Sequence, residues 1–151
     1  KTWSREMAYV LGFLYADGDV IKTKRGTHFV SFYSANKELL ALIRFVLNSE
    51  HAISVRTSST GRVFRLQIGS KSWFDDLYLL GLTPNKAKRM TLPAVPMDFI
   101  SDYIRGYFDG DGSVGRYDGR LKFSLLGTNN LLIWILNFFK NKGMKTILKL
   151  V

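Results

Sequence analysis

Residues 9–20 read YVLGFLYADGDV, and residues 103–114 read YIRGYFDGDGSV. In both stretches an apolar run ends abruptly in a carboxylate followed by glycine. The periodicity predicts helices over about 5–17 and 97–110, with Gly18 and Gly112 just beyond their ends. The C-terminus of a helix carries negative dipole character, so Asp17 and Asp111 stand where a carboxylate is least welcome. The residues around them give a reason. Gly12 and Ala16, then Gly106 and Gly110, recur four apart, and residues four apart share a helix face. Two such small-residue faces let two helices pack backbone to backbone, through Gly12 and Gly106. Asp17 and Asp111 then lie side by side, and a divalent cation with hard oxygen ligands makes sense of the pair. The backbone carbonyls of Ala16 and Gly110 are further candidate ligands. An EF-hand does not fit. Its loop needs Glu at the twelfth position, but that position is His28 counted from Asp17 and Arg120 counted from Asp109.

The match between the two stretches extends beyond the motif. Tyr9 meets Tyr103, and at the same displacement Val20 meets Val114, Phe29 meets Phe123, Asn36 meets Asn130, Leu42 meets Leu136, Phe45 meets Phe139 and Ile53 meets Ile147. Two copies of one unit are therefore expected, related by a pseudo-two-fold axis. The first reads as αββαββα. After the first helix come strands near 19–24 and 28–34 and a helix in SANKELLALIRFVLN (34–48), with Ser34 or Asn36 as N-cap. Strands near 52–57 and 62–68 follow, then a helix in SKSWFDDLYLLGL (70–82), capped by Ser70 or Ser72. TPNKAKRMTLPAVP (83–96) holds all three prolines and reads as a linker. The second copy offers strands near 113–118 and 120–127, a helix in NNLLIWILNFFKNKG and a strand in KTILKLV, then stops short of a fourth strand and last helix. The expected division is a first repeat at 1–83, a linker at 84–96 and an incomplete second repeat at 97–151, completed by a missing C-terminal segment or another chain.

Composition narrows the partners. The 151 residues carry 22 Lys and Arg against 12 Asp and Glu, a net charge of +10, which favours a polyanion, above all nucleic acid. There is no cysteine, so disulfides and thiolate metal sites are excluded. His28 and His51 are the only histidines, which argues against a His-based zinc site. No apolar run reaches membrane-spanning length and no signal peptide is evident, so an intracellular place (cytoplasm, nucleoid or organelle) is expected rather than secretion or a membrane. The chain begins at Lys1, as a processed or trimmed start would. Alternation puts Phe64, Leu66 and Ile68 on an inner sheet face and Arg65 and Gln67 on the outer one. Likewise Leu121, Phe123 and Leu125 are expected inward, and Arg120, Lys122 and Ser124 outward. A basic, hydrogen-bonding sheet face can lie in a DNA major groove and read base edges. Lys22, Lys24, Arg56, Arg62, Arg65, Gln67, Arg116, Arg120 and Lys122 are the candidate contacts.

VLGFLYADG (10–18) and IRGYFDGDG (104–112) resemble the two signature helices of the LAGLIDADG homing endonucleases. The resemblance takes in nearly the whole chain: both helices, the αββαββα order and the linker GLTPNKAKRMTLP. It implies an α+β monomer of two pseudo-symmetric αββαββα repeats, packed through the paired helices, with antiparallel saddle-like sheets on double-stranded DNA. It implies a site-specific endonuclease of intron or intein origin that uses Mg²⁺, with Mn²⁺ or Ca²⁺ able to occupy the same site. Such an enzyme cuts both strands across the minor groove and leaves 3′ overhangs. The signature's catalytic acids fall on Asp17 and Asp111. The sixth position differs between the halves, Tyr15 against Asp109, so Asp109 is not expected in shared machinery. Family members often place a basic residue near the acids, and Lys86 and Lys88 are the candidates. The alternative is the same scaffold kept as a non-cleaving binding module, an RNA maturase on intron RNA or a DNA-binding regulator. A metal protein unconnected with nucleic acid would leave the charge and the polar sheet faces unexplained.

Overall fold

The computed structural model describes residues 3–58, 61–84 and 92–145. The first half runs α1 (Arg5–Asp17), β1 (Gly18–Lys22), β2 (His28–Ser34), α2 (Lys37–Val46), β3 (Ile53–Ser58), β4 (Gly61–Gly69) and α3 (Lys71–Leu79). After a 3-10 turn at Met97–Phe99 the second half runs α4 (Ile100–Asp111), β5 (Gly112–Tyr117), β6 (Arg120–Leu125) and α5 (Asn129–Asn141). The class is α+β with antiparallel sheets, as expected: one sheet has the order β1-β2-β4-β3 and the other pairs β5 with β6. The strand expected in KTILKLV falls on residues 146–151, outside the described residues.

Local chemistry explains where the first-half helices begin. Ser4 accepts a hydrogen bond from the Met7 amide, Asn36 from those of Glu38 and Leu39, and Ser70 from that of Trp73. Each cap satisfies amide donors that have no partner inside the helix. Asn36 and Ser70 thereby settle the two choices the sequence left open. The Ser34 hydroxyl instead accepts from the Asn36 amide, one step before the helix.

The core is built around α1. Every residue from Ala8 to Tyr15 is buried, so this helix has no solvent face and is enclosed by other elements. The first sheet, whose buried side carries Val20, Val30, Phe32, Leu66 and Ile68, lies against it on one side. On the other side lies α4, with Tyr103 buried and set edge-on to Tyr15 at 5.7 Å and to Trp134 of α5 at 5.8 Å.

The second sheet departs from expectation in two respects. Leu121 and Phe123 do share a face with Leu125, but they are 63% and 67% exposed. In the first half β4 and α3 cover the equivalent face, and among the described residues the second half has no counterparts of them. The constant displacement between the halves also fails after the first strand. Gly18 pairs with Phe32, but Gly112 pairs with Leu125. Phe123 is therefore equivalent to Val30, and Phe29 to Lys122. The cause is the turn. Five residues separate β1 from β2, whereas only Asp118 and Gly119 separate β5 from β6. Both have positive φ, 49° and 74°, as a tight two-residue hairpin turn demands. At the next helix the slip reaches two residues, N-cap Asn36 corresponding to N-cap Thr128.

The contact between α1 and α4 leaves no room for a side chain at its centre. A Cβ on Gly12 would strike the Tyr103 carbonyl oxygen, and one on Gly106 that of Tyr9. Because the obstruction is backbone, it does not yield by a rotamer change. Gly106→Ala is expected to cost about 3 kcal/mol, read as a lowered midpoint in urea denaturation with the slope unchanged.

Candidate active site

The helix contact fixes where the two acids lie. Gly12 packs at Tyr103 and Tyr107, Gly106 at Tyr9 and Phe13, and Gly110 at Ala16 and Asp17. These contacts climb both helices together, so α1 and α4 run parallel and finish at the same end. Asp17 and Asp111 are the last residues of the two helices, and both are half-buried. Neither helix has a basic residue in its last turn. Two carboxylates thus meet two negative dipole ends.

Tyr107 shows how near the two acids are. Burial pushes its hydroxyl well above the usual tyrosine range. The charge of Asp111, a hydrogen bond to Asp111 and the charge of Asp17 push it further. Among the described residues no three His, Cys, Asp or Glu side chains converge on a point. A metal here would therefore be held by two carboxylates, with backbone oxygens and water completing the shell. That donor set suits Mg²⁺, Mn²⁺ or Ca²⁺ and does not suit zinc or copper.

Asp109 is otherwise engaged. Its carboxylate accepts the Tyr9 hydroxyl at 2.7 Å, across the helix pair, and the Arg105 guanidinium lies 4.9 Å from the centre of the Tyr9 ring. The equivalent place in the first half is Tyr15, whose hydroxyl donates to the Leu80 carbonyl at 2.6 Å.

The strand registers sort the candidate contact residues into two sets. On the face of the first sheet turned away from the helices, Asp19, Ser31 and Gln67 form one row, and Tyr33, Arg65 and Ser54 another. Arg56, opposite Val63, lies on the same face. The corresponding face of the second sheet carries Ser113 opposite Ser124, Gly115 opposite Lys122 and Tyr117 opposite Arg120. The Lys122 ammonium lies 4.9 Å from the centre of the Tyr117 ring. By contrast, Lys22 (opposite His28), Arg62 (opposite Thr57) and Arg116 (opposite Leu121) fall on the helix-side faces. Lys24 is exposed in the first turn. Lys86 and Lys88 lie outside the described residues.

Three residues near the acids carry no signal in the sequence that singles them out. Asp19 opens β1 on the polar face; one of its oxygens accepts the Tyr33 hydroxyl at 3.4 Å and the other has no partner. Tyr33 is the second. The third is Tyr107, which only a comparison with Phe13 could flag.

This arrangement is the fold of the LAGLIDADG homing endonucleases. Among solved structures, I-DmoI in complex with DNA and Ca matches with a TM-score of 0.58 and 18% identity, over 91% of this chain and 71% of that one. The I-LtrWI LAGLIDADG homing endonuclease bound to target DNA matches with a TM-score of 0.52 and 13% identity, over 90% of this chain and 71% of that one. No family model matches the sequence. Among curated proteins, the B-type subunit of the A-type ATP synthase of Methanopyrus kandleri is 29% identical over 118 residues, which is 78% of this chain. The chain spans 11% of the length of that relative.

Asp111→Asn removes a charge from the negative end of α4. In chelator it is expected to raise stability by about 0.5 kcal/mol, seen as a higher melting temperature. Millimolar Mn²⁺ should raise the melting temperature of the unsubstituted protein and leave that of Asp111→Asn nearly unchanged.

Proposed function

We propose that this chain is a site-specific double-stranded DNA endonuclease that hydrolyses phosphodiesters with divalent metal and leaves 3′ overhangs. One observation carries the reading: the backbone-to-backbone helix pair delivers Asp17 and Asp111 to one spot, beside the polar faces of two sheets. In this reading Asp17 and Asp111 hold Mg²⁺, with Mn²⁺ or Ca²⁺ able to replace it, and the carbonyls of Ala16 and Gly110 assist. When bound, the metal lowers the pKa of the attacking water and stabilises the leaving oxygen. Arg56, Arg65, Gln67, Arg120 and Lys122 face the duplex, where arginine and glutamine pair with purine edges and lysine neutralises phosphate. Lys22, Lys24, Arg62 and Arg116 then serve as contacts to flanking phosphates. Lys86 or Lys88 orders water near the scissile bond. The neighbours crystallised with DNA and with Ca support both the partner and the metal.

The curated match supports an intein-type origin over an intron-type one. A 118-residue likeness confined to 11% of an ATP synthase polypeptide is what an element lodged inside a host protein would give. The second reading, a maturase or regulator that binds without cutting, is favoured by the exposed inner face of the β5–β6 pair.

Incubation with a randomised duplex pool in Mg²⁺, followed by sequencing of ends, separates the readings. Defined ends with 3′ overhangs are expected, reduced at least about 100-fold in Asp17→Asn and in Asp111→Asn. Salt-sensitive binding without ends, unchanged in both variants, would overturn the nuclease in favour of the binding module. Lys122→Ala should weaken binding to all sequences alike and flatten the salt dependence by about one counterion.

A further inference from the structure

The two helix ends that carry the acids differ beside them by one hydroxyl. Position 13 of α1 is Phe and the equivalent position 107 of α4 is Tyr, both buried. The Tyr107 hydroxyl donates to the Leu126 carbonyl at 3.0 Å and also lies within hydrogen-bonding reach of the Asp111 carboxylate. Leu126 is itself tied to the same helix end, its amide donating to the Asp111 carbonyl at 3.3 Å. Gly127 flanks the hydroxyl so closely that a Cβ there would come within 2.7 Å of it.

A phenol has one proton to donate, and here two acceptors stand ready for it. Resting on the metal-dependent reading above, we propose that Tyr107 is a positioning residue for Asp111, fixing its carboxylate for the cation in the second half alone. While Asp111 is metal-free, its carboxylate can accept the proton. When Asp111 gives its lone pairs to a cation, the hydroxyl turns to Leu126 and no buried donor is orphaned, which would otherwise be costly. The two acids are thereby made unequal: Asp111 is steered by a buried donor, while the matching place in the first half holds a bare ring. A second layer of this kind holds a ligand in the geometry the metal requires, and its loss commonly lowers metal affinity 10–100-fold.

The test is Mn²⁺ binding to the DNA-free protein, read from the electron paramagnetic resonance signal of free Mn²⁺, with melting temperature measured alongside. Tyr107→Phe installs the residue the first half already uses. It is expected to weaken Mn²⁺ binding about tenfold. Asp111→Asn gives the limit of full loss at that acid. Gly127→Ala, which crowds the hydroxyl without removing it, should reproduce the loss and serves if Tyr107→Phe misfolds. On a cut duplex, Tyr107→Phe should slow one strand more than the other, so that nicked product accumulates while affinity for DNA in Ca²⁺ is unchanged. Equal Mn²⁺ affinity in the unsubstituted protein and in Tyr107→Phe overturns the role of Tyr107 and leaves the nuclease reading standing. Failure of the unsubstituted protein to bind Mn²⁺ or cut DNA overturns both.

Discussion

Everything that positions the candidate site follows from one contact: two helix backbones touching where both residues are glycine. Gly12 against Tyr103 and Gly106 against Tyr9 leave no space for a single methyl group. A contact so close fixes rotation and sliding together, because either movement drives a carbonyl into a neighbour. It sets α1 and α4 parallel, sends both negative ends the same way and brings two carboxylates together. Dipole alignment and like charge both oppose that outcome. The packing of α1, enclosed from Ala8 to Tyr15, is what holds it.

Around this near-symmetric axis the side chains are arranged without symmetry. Tyr9 reaches across to Asp109, while its counterpart Tyr103 packs among aromatic rings and its hydroxyl has no hydrogen-bond partner. Asp19 follows the first residue of one sheet and Ser113 that of the other. A dyad of backbone thus carries two chemically different half-surfaces. That suits a duplex target whose two halves differ in sequence, because each sheet faces its own set of base edges.

Much of this was legible in the amino-acid order, for physical reasons that differ by element. The helix pair could be read because glycine spacing and an oddly placed acid report on the same packing. The first-half caps could be read because Asn36 and Ser70 precede helical periodicity. The faces of Lys22, Arg62 and Arg116 follow from alternation along strands, and a basic residue alone does not reveal its side. The exposure of Leu121 and Phe123 was not legible, since burial depends on which strand or helix lies above and not on the residue. The Tyr107–Asp111 contact was hidden for a similar reason. Four positions separate the two residues in sequence, but it is the return of the chain at Leu126 and Gly127 that confines the hydroxyl.

The shortened turn at Asp118 and Gly119 bears on how a duplicated chain diverges. Along a strand each deleted residue exchanges the two faces, so a change in turn length renames every position beyond it. Phe29 and Phe123 look like kin in the sequence but point to opposite sides of their sheets. In recombination between such repeats the heritable module is therefore the hairpin together with its turn. A crossover within β6 that kept the turn of the other half would put Lys122 where the interior expects Val30. Duplicated halves joined in this way lose the ability to exchange parts long before they lose a common outline.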